Sequence, residues 1–390
     1  MVRHTSDSSR QALALVMTLL TVIVLAIVIS QLVYSTAIDL RVASNHASMA
    51  QNDIALTSAA FLVMAKLDMA DELHGEEAYH ALNDPWAQEF EHEFGKETIL
   101  EIKVVDHERR FNLLRLVEGE EADQERAKKA FTALLESVRP DTNPGPESLV
   151  DRIITWMKDK TGWKAPEKGS SQPLVAKGSS LPLVSLDDLT LVDGIDSGFL
   201  DGEEDENGEY TPGIRHYVTI QSNQKINLNT ASKAVLMTLS PDITNEIAEA
   251  VVEARGGGGS EPDDGRETQQ SLAGAETEST PFTKIDDEGV KNLFSEEASS
   301  EEAEWAESKK TEKESESSSE EAEEGEEEKT TIWDVIQHDI TVESETFGAE
   351  CTARKENLRR KIEFILQRSK SEMRIVFWRE MTISEDTQDK

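Results

Sequence analysis

From Ala12 to Val33 the chain reads ALALVMTLLTVIVLAIVISQLV, 22 residues with no charge, no Gly and no Pro. A hydrocarbon core about 30 Å thick takes roughly 20 apolar residues of helix. The pattern predicts one transmembrane helix, and no other stretch of the chain meets that length. Before the span stand Arg3, His4 and Arg10 against Asp7; after it come Asp39 and then Arg41. The excess of positive charge before the span puts the N-terminus in the cytoplasm and exports the rest. A cleaved secretory signal is the competing reading, with an apolar region of about 7–15 residues. This run is longer and continues into more helix-like sequence, which favours a retained anchor.

No Gly or Pro interrupts Ala12 to His74. Beyond the apolar run, Leu56, Ala60, Val63 and Leu67 fall on one helical face, with polar residues between them. One helix from about Ala12 to about Met69 is predicted, on the order of 85 Å long at 1.5 Å per residue. Its first half suits lipid and its second half suits packing on a soluble body. Asn83-Asp84-Pro85 marks a turn. Thr98–Asp106, TILEIKVVD, alternates as a half-buried strand.

Helical periodicity follows at Gln124–Val138 and Ser148–Lys158, joined by the loop Pro140–Pro146. Gly162–Ser180 reads as a polar loop, and Leu186–Val192 as a short element capped by Ser185. Asp201–Pro212 is an acidic loop. Ile226–Arg255 reads as two short helices broken at Pro241, the first capped by Asn229 or Thr230. From Gly256 to Lys329 the chain is Gly, Ser and Glu. It lacks the apolar surface to offset its ordering entropy, so disorder is expected, apart from a short piece near Phe282–Phe294. A helical turn at Ile332–Ile336 precedes strands at His338–Glu345, Gly348–Ala353, Leu358–Gln367 and Met373–Arg379. The strand Thr98–Asp106 has no local partner, so it is expected to share their sheet, with the helical part inserted between.

Charge narrows the function. The formal net charge is −38. Glu296–Lys329 carries 16 Glu and 4 Lys, so most of the acidity lies elsewhere. Such a surface repels phosphate backbones and anionic headgroups, because nucleic-acid affinity comes mainly from Lys and Arg. The single cysteine, Cys351, allows no internal disulfide and reads as a small apolar residue.

No enzyme signature appears. Glu91-His92-Glu93 and Asp106-His107-Glu108 read as exposed loop residues. Gly256–Gly259 lacks the Lys-Ser/Thr of a phosphate loop. Asp201, Glu203, Asp205, Asn207 and Glu209 place oxygen ligands at alternate positions, as Ca²⁺ requires. The spacing departs from the EF-hand, and a solvated acidic loop with no cofactor is the simpler reading. NLNTAS and the two helices after it are similar to a helix-hairpin-helix of DNA receptors. However, the turn Leu239-Ser240-Pro241-Asp242-Ile243 has no Gly, and Asp242 would oppose a phosphate. A membrane-anchored DNA-uptake protein is the alternative that this disfavours.

Taken in order, several stretches resemble the minor pseudopilin K family of type II secretion. They are RQALALVMTLL, DPWA, VVDHERRFNLLRL, LVDRIITWMKDK, LDDLTLVDGID, INLNTASKAVLMTL and the closing ITVESETF…RRKIEFILQRSKSEMRIVFWR. The resemblance implies an α+β fold: a long N-terminal transmembrane helix and a pilin-like α/β domain with an inserted all-helical domain of helix-hairpin-helix-like units. The expected division is a leader at 1–11, the span at 12–33 and the first part of the pilin-like domain at 34–110. The inserted helical domain follows at 111–255, a disordered acidic linker at 256–329 and the closing strands at 330–390. It also implies assembly with other minor pseudopilins and the type II secretion machinery in the inner membrane, and processing by prepilin peptidase between Gln11 and Ala12. Gln11 stands where the family usually has Gly. Five residues into the mature chain, major pseudopilins carry a Glu that pairs with a neighbour's amine; here Val16 holds that place. The resemblance makes Val16 the mark of a tip position.

Overall fold

A computed structural model describes residues 5–75, 77–95, 97–161, 183, 185–204, 210–256, 280–316, 329–355, 358–369 and 372–381. Helix α1 runs unbroken over Thr5–His74, roughly 105 Å at 1.5 Å per residue. Strands β1 (Phe90–Phe94), β2 (Thr98–Asp106) and β3 (Phe111–Asn112) follow. Next come α2 (Glu121–Val138), α3 (Pro146–Thr161), α4 (Ser197–Asp201), β4 (Gly202–Glu204), β5 (Tyr210–Pro212), β6 (Val218–Thr219) and β7 (Ile226–Asn227). Helices α5 (Lys233–Leu236), α6 (Asn245–Ala254), α7 (Glu288–Leu293), α8 (Ser300–Glu316) and α9 (Ile332–Ile336) precede β8 (Ile340–Thr341). The chain closes with β9 (Thr346–Lys355), β10 (Leu358–Ser369) and β11 (Glu372–Met381).

The main sheet has the order β1-β2-β9-β10-β11, antiparallel throughout. β2 pairs with β9 from Ile99↔Arg354 to Asp106↔Phe347. The chain therefore leaves the sheet at Asp106, builds the helical unit, and re-enters beside its point of departure. The expected sharing of one sheet holds, and it rests on the period-2 pattern of β2, whose burial alternates along its whole length.

One face of this sheet takes the second half of α1. Ala55, Leu56, Ala59, Ala60, Val63 and Leu67 meet Leu100, Ile102 and Val104 of β2 and Phe347, Ala349, Cys351 and Ala353 of β9. The small residues on both sides let the helix lie close to the strands. Cys351 is fully buried there, and burial pushes its thiol up to about 12. The other face is charged. Glu350 pairs with Lys361 at 2.6 Å, Glu101 with Arg354 at 3.2 Å, and Glu363 with Arg379 at 2.6 Å. Arg379 also reaches Asp187 of the helical unit.

The helical unit has its own core, in which Phe111 stacks on Phe131 at 5.6 Å. Here the structure corrects the expected linker. Within the range 256–329, residues 280–316 are ordered: Val290, Phe294, Ala298 and Ala306 are buried in this core beside Ile332, Val335 and Ile336. Helix α8, expected to be disordered, is held by distant partners. Arg126 bonds to Glu302 at 3.1 Å and lies over the Trp305 ring, and Lys309 pairs with Glu120 and Asp123. Composition is local, and these partners lie far away in sequence. The strand expected over His338–Glu345 shrinks to β8, whose two residues pair with β7 in parallel. Residues 257–279 and 317–328 lie outside the described residues.

Candidate assembly surface and the joint beneath it

Between Leu13 and Ile38 α1 carries no charged side chain. Its large apolar residues from Leu13 to Val33 are exposed on every side. Soluble proteins rarely leave so large an apolar surface bare. The Thr18 and Thr21 hydroxyls in it, and Thr36 just beyond, donate to carbonyls of Leu15, Thr18 and Leu32. The segment is long and apolar enough to cross a membrane once. Val16 sits in this bare surface; the side chains of Gln11 and Ala12 lie outside the described residues.

The sheet-packed half of α1 keeps an apolar outer face. At 100° per residue, Ala47, Ala50, Ile54, Ser58, Phe61 and Ala65 share one side, opposite the buried stripe. Ile54 is 59% exposed and Phe61 67%. Small residues around two large ones are what a second helix needs to approach closely.

Behind α1, at the end of β2, lies a buried polar joint between sheet and helical unit. Asp106, His107 and Glu108, expected as exposed loop residues, are all buried. Asp106 Oδ2 accepts from Thr230 Oγ1 at 2.5 Å, Ser344 Oγ at 2.7 Å and Asn227 Nδ2 at 3.2 Å, while Oδ1 accepts from Glu108 N–H at 2.8 Å. Asn227, fully buried, also donates to the His80 carbonyl at 3.1 Å and to Ser344 Oγ at 2.7 Å. Glu108 accepts from the Asn223 and Thr346 N–H groups at 3.3 and 3.1 Å. Burial, and Asp106 beside it, hold its carboxyl well above the usual range. His107 packs under Gly348 with Nδ1 at 2.8 Å from Thr219 Oγ1, and burial pulls it down to about 3, so the ring is neutral. A charged triplet on a sequence reads as solvated; only the long-range donors from residues 219–230 and 344–346 reveal this one as buried. Glu91, His92 and Glu93 are exposed as expected, but on strand β1 and not in a loop.

The other candidates resolve unevenly. Asp201 accepts from Arg215 at 2.6 Å, and Glu203 pairs with Arg139 at 3.1 Å. Asp205, Asn207 and Glu209, the other three residues of the set proposed for Ca²⁺, lie outside the described residues. Among the described residues no three His, Cys, Asp or Glu side chains form a metal-holding group. Neither Asn229 nor Thr230 caps α5; Ser232 does, its Oγ accepting from Val235 N–H at 3.4 Å. Asn229 instead clasps the Phe282 backbone through two 2.8 Å bonds, and Thr230 serves Asp106. The turn between α5 and α6 is covered by the chain itself. Ser240 Oγ bonds to Glu302 at 3.3 Å, and Asp242 accepts from Ser299 N–H at 2.8 Å.

That hairpin is also where the chain meets a known family. Residues 226–283 match the family "Type II secretion system (T2SS), protein K". Family match and fold together support a protein K minor pseudopilin. Among solved structures, the chain is similar to one in "The Crystal Structure of the GspK-GspI-GspJ complex from enterotoxigenic Escherichia coli Type 2 Secretion System". The TM-score is 0.52 at 12% identity, over 87% of this chain and 99% of that one. At that identity the likeness establishes the fold. No curated protein matches the chain. The matched segment contains Asn227 and Thr230, two of the residues that donate to Asp106 in the joint. The family is a structural component of a secretion machine, and the exposed α1 and the interlaced body agree with that role.

Proposed function

We propose that this chain starts or caps the tip of a type II secretion pseudopilus and performs no catalysis. Its α1 crosses the inner membrane, with the N-terminus cytoplasmic and the body periplasmic. Prepilin peptidase cuts between Gln11 and Ala12, leaving Val16 five residues into the mature chain. The observation that carries this reading is α1 itself: a helix apolar on every side from Leu13 to Val33 continues, without a break, into a half whose outer face exposes Ile54 and Phe61. Helices associate in lipid by packing and polar pairing rather than by hydrophobic transfer. With no acid between Leu13 and Ile38, α1 offers nothing to pair with a neighbour's terminal amine in lipid, where an unpaired charge is costly. It can join an assembly at one end and cannot be followed by another subunit.

Partners are other minor pseudopilins, as in the three-protein complex whose K subunit shares this fold. A DNA-binding role has little support, because the hairpin turn is filled by residues 299–302 and the chain is strongly acidic. The test is overexpression of the full chain alone and beside the other pseudopilins, read by electron microscopy. Alone it should make no fibres, and Val16→Glu should let it enter fibres along their length. Long fibres of the unchanged protein would refute the tip role.

A further inference from the structure

The joint at the end of β2 contains two acids in contact and out of water. Asp106 takes four hydrogen bonds, three of them on Oδ2. Glu108 takes two, both from backbone N–H groups. The Glu108 N–H is bound to Asp106 Oδ1 at 2.8 Å and both side chains are buried, so the two carboxyls share one joint out of water. Two ionised carboxylates placed side by side out of water repel each other, so one carries a proton. The donor count decides which: Asp106 is served as an anion is served, and Glu108 is left to donate.

The donors come from both bodies. Asn223, Asn227 and Thr230 belong to the helical unit, and Ser344 and Thr346 to the strand segment that re-enters the sheet. We propose that Asp106 and Glu108 hold one proton between them, and that this proton latches the helical unit to the sheet. When Glu108 loses it to solvent, two anions face each other in a dry pocket and the joint loosens.

The surroundings do not blunt this. His107 is neutral and turned to Thr219. His80 accepts the Ser344 N–H at Nδ1, leaving its Nε2 at 3.2 Å from Asp71 Oδ1 on α1. Arg110 faces Glu350 and Glu363 of the charged sheet face and Arg109 beside it. Glu343, Glu345 and Lys225 are exposed. The sign follows from proton counting. The latched state keeps a proton that the open state releases, so the latch is full near the ordinary carboxylate value and weakens as pH rises towards the raised value of Glu108.

Hydrogen exchange on the full chain in detergent micelles tests this, from pH 5 to pH 9 and corrected for the intrinsic rise in exchange. The amides of Asn223 and Thr346 should lose protection by about tenfold per pH unit over the titrating range, as one released proton requires. Glu108→Gln, which keeps a donor towards Asp106 without a charge to release, should abolish that slope. A pH-independent wild type, or a slope unchanged in the variant, overturns the proposal. If the variant does not fold, infrared spectroscopy of the wild type decides. A protonated carboxyl stretch present at pH 7 and lost on alkalinisation upholds the latch, and its absence at pH 7 ends it.

Discussion

Asn227→Ala is the most informative single change. The side chain is fully buried, and its amide spans three elements. Its Nδ2 serves the His80 carbonyl, Ser344 and Asp106, and its Oδ1 accepts from the Asn229 N–H at 2.9 Å. Alanine removes all four contacts and leaves groups without a partner where water does not reach. A buried group left unsatisfied costs about 1–3 kcal/mol, and a bond to a charged partner is worth about 1.5–3 kcal/mol. Because the bonds share one amide, the sum is not additive, and a loss of about 4 kcal/mol is expected. Trp86 reports it well: it is buried, bonds to Asp84 at 3.0 Å and packs against Phe347 at 5.2 Å. With a urea slope of about 3 kcal/mol/M, the fluorescence midpoint should fall by roughly 1.3 M. A fall of less than about 0.3 M would mean that Asn227 holds nothing together. Asn227→Asp, of the same shape but with a third acid, should be worse than alanine at neutral pH and recover on acidification.

Gly348→Ala should destabilise by about 1–3 kcal/mol, because its Cβ would lie 2.4 Å from His107 Nε2 in a packed site; thermal melts check this, and an unchanged melting temperature would contradict the packing. A protease site placed between residues 257 and 279 should, once cut, leave two fragments that copurify in native buffer. The register from Ile99↔Arg354 to Asp106↔Phe347 joins them, and separation on a sizing column would contradict that pairing.

How far the sequence could be read depended on range. The anchor declares itself as an apolar run of 22 residues and β2 by alternation over nine, and both are present, as are the strands of the closing meander. The two-residue pairings of β3 with β6 and β7 with β8 are too short to show any period. Helix α8 has an almost wholly polar sequence; what folds it is Arg126, Lys129 and the underside of α2, more than 170 residues earlier. Asp106 and Glu108 misled for the same reason. A charged side chain shows its chemistry in one sequence and hides its surroundings.

The return of the chain to β2 also fixes an order of events. The ribosome delivers residues from the N-terminal end, so α1 and β2 arrive first and β9 arrives some 240 residues later, by the positions of Asp106 and Thr346. Until then Leu56, Val63 and Leu67 lack the strands β9 and β10 that complete their cover, and β2 has an open edge where β9 belongs. Such distant pairings form slowly and expose sticky surfaces meanwhile. The helical unit must therefore fold, or be kept soluble, while the body that carries it is still unfinished. A chain halted anywhere before β9 would be anchored in the membrane with an assembly helix but no sheet to seat it.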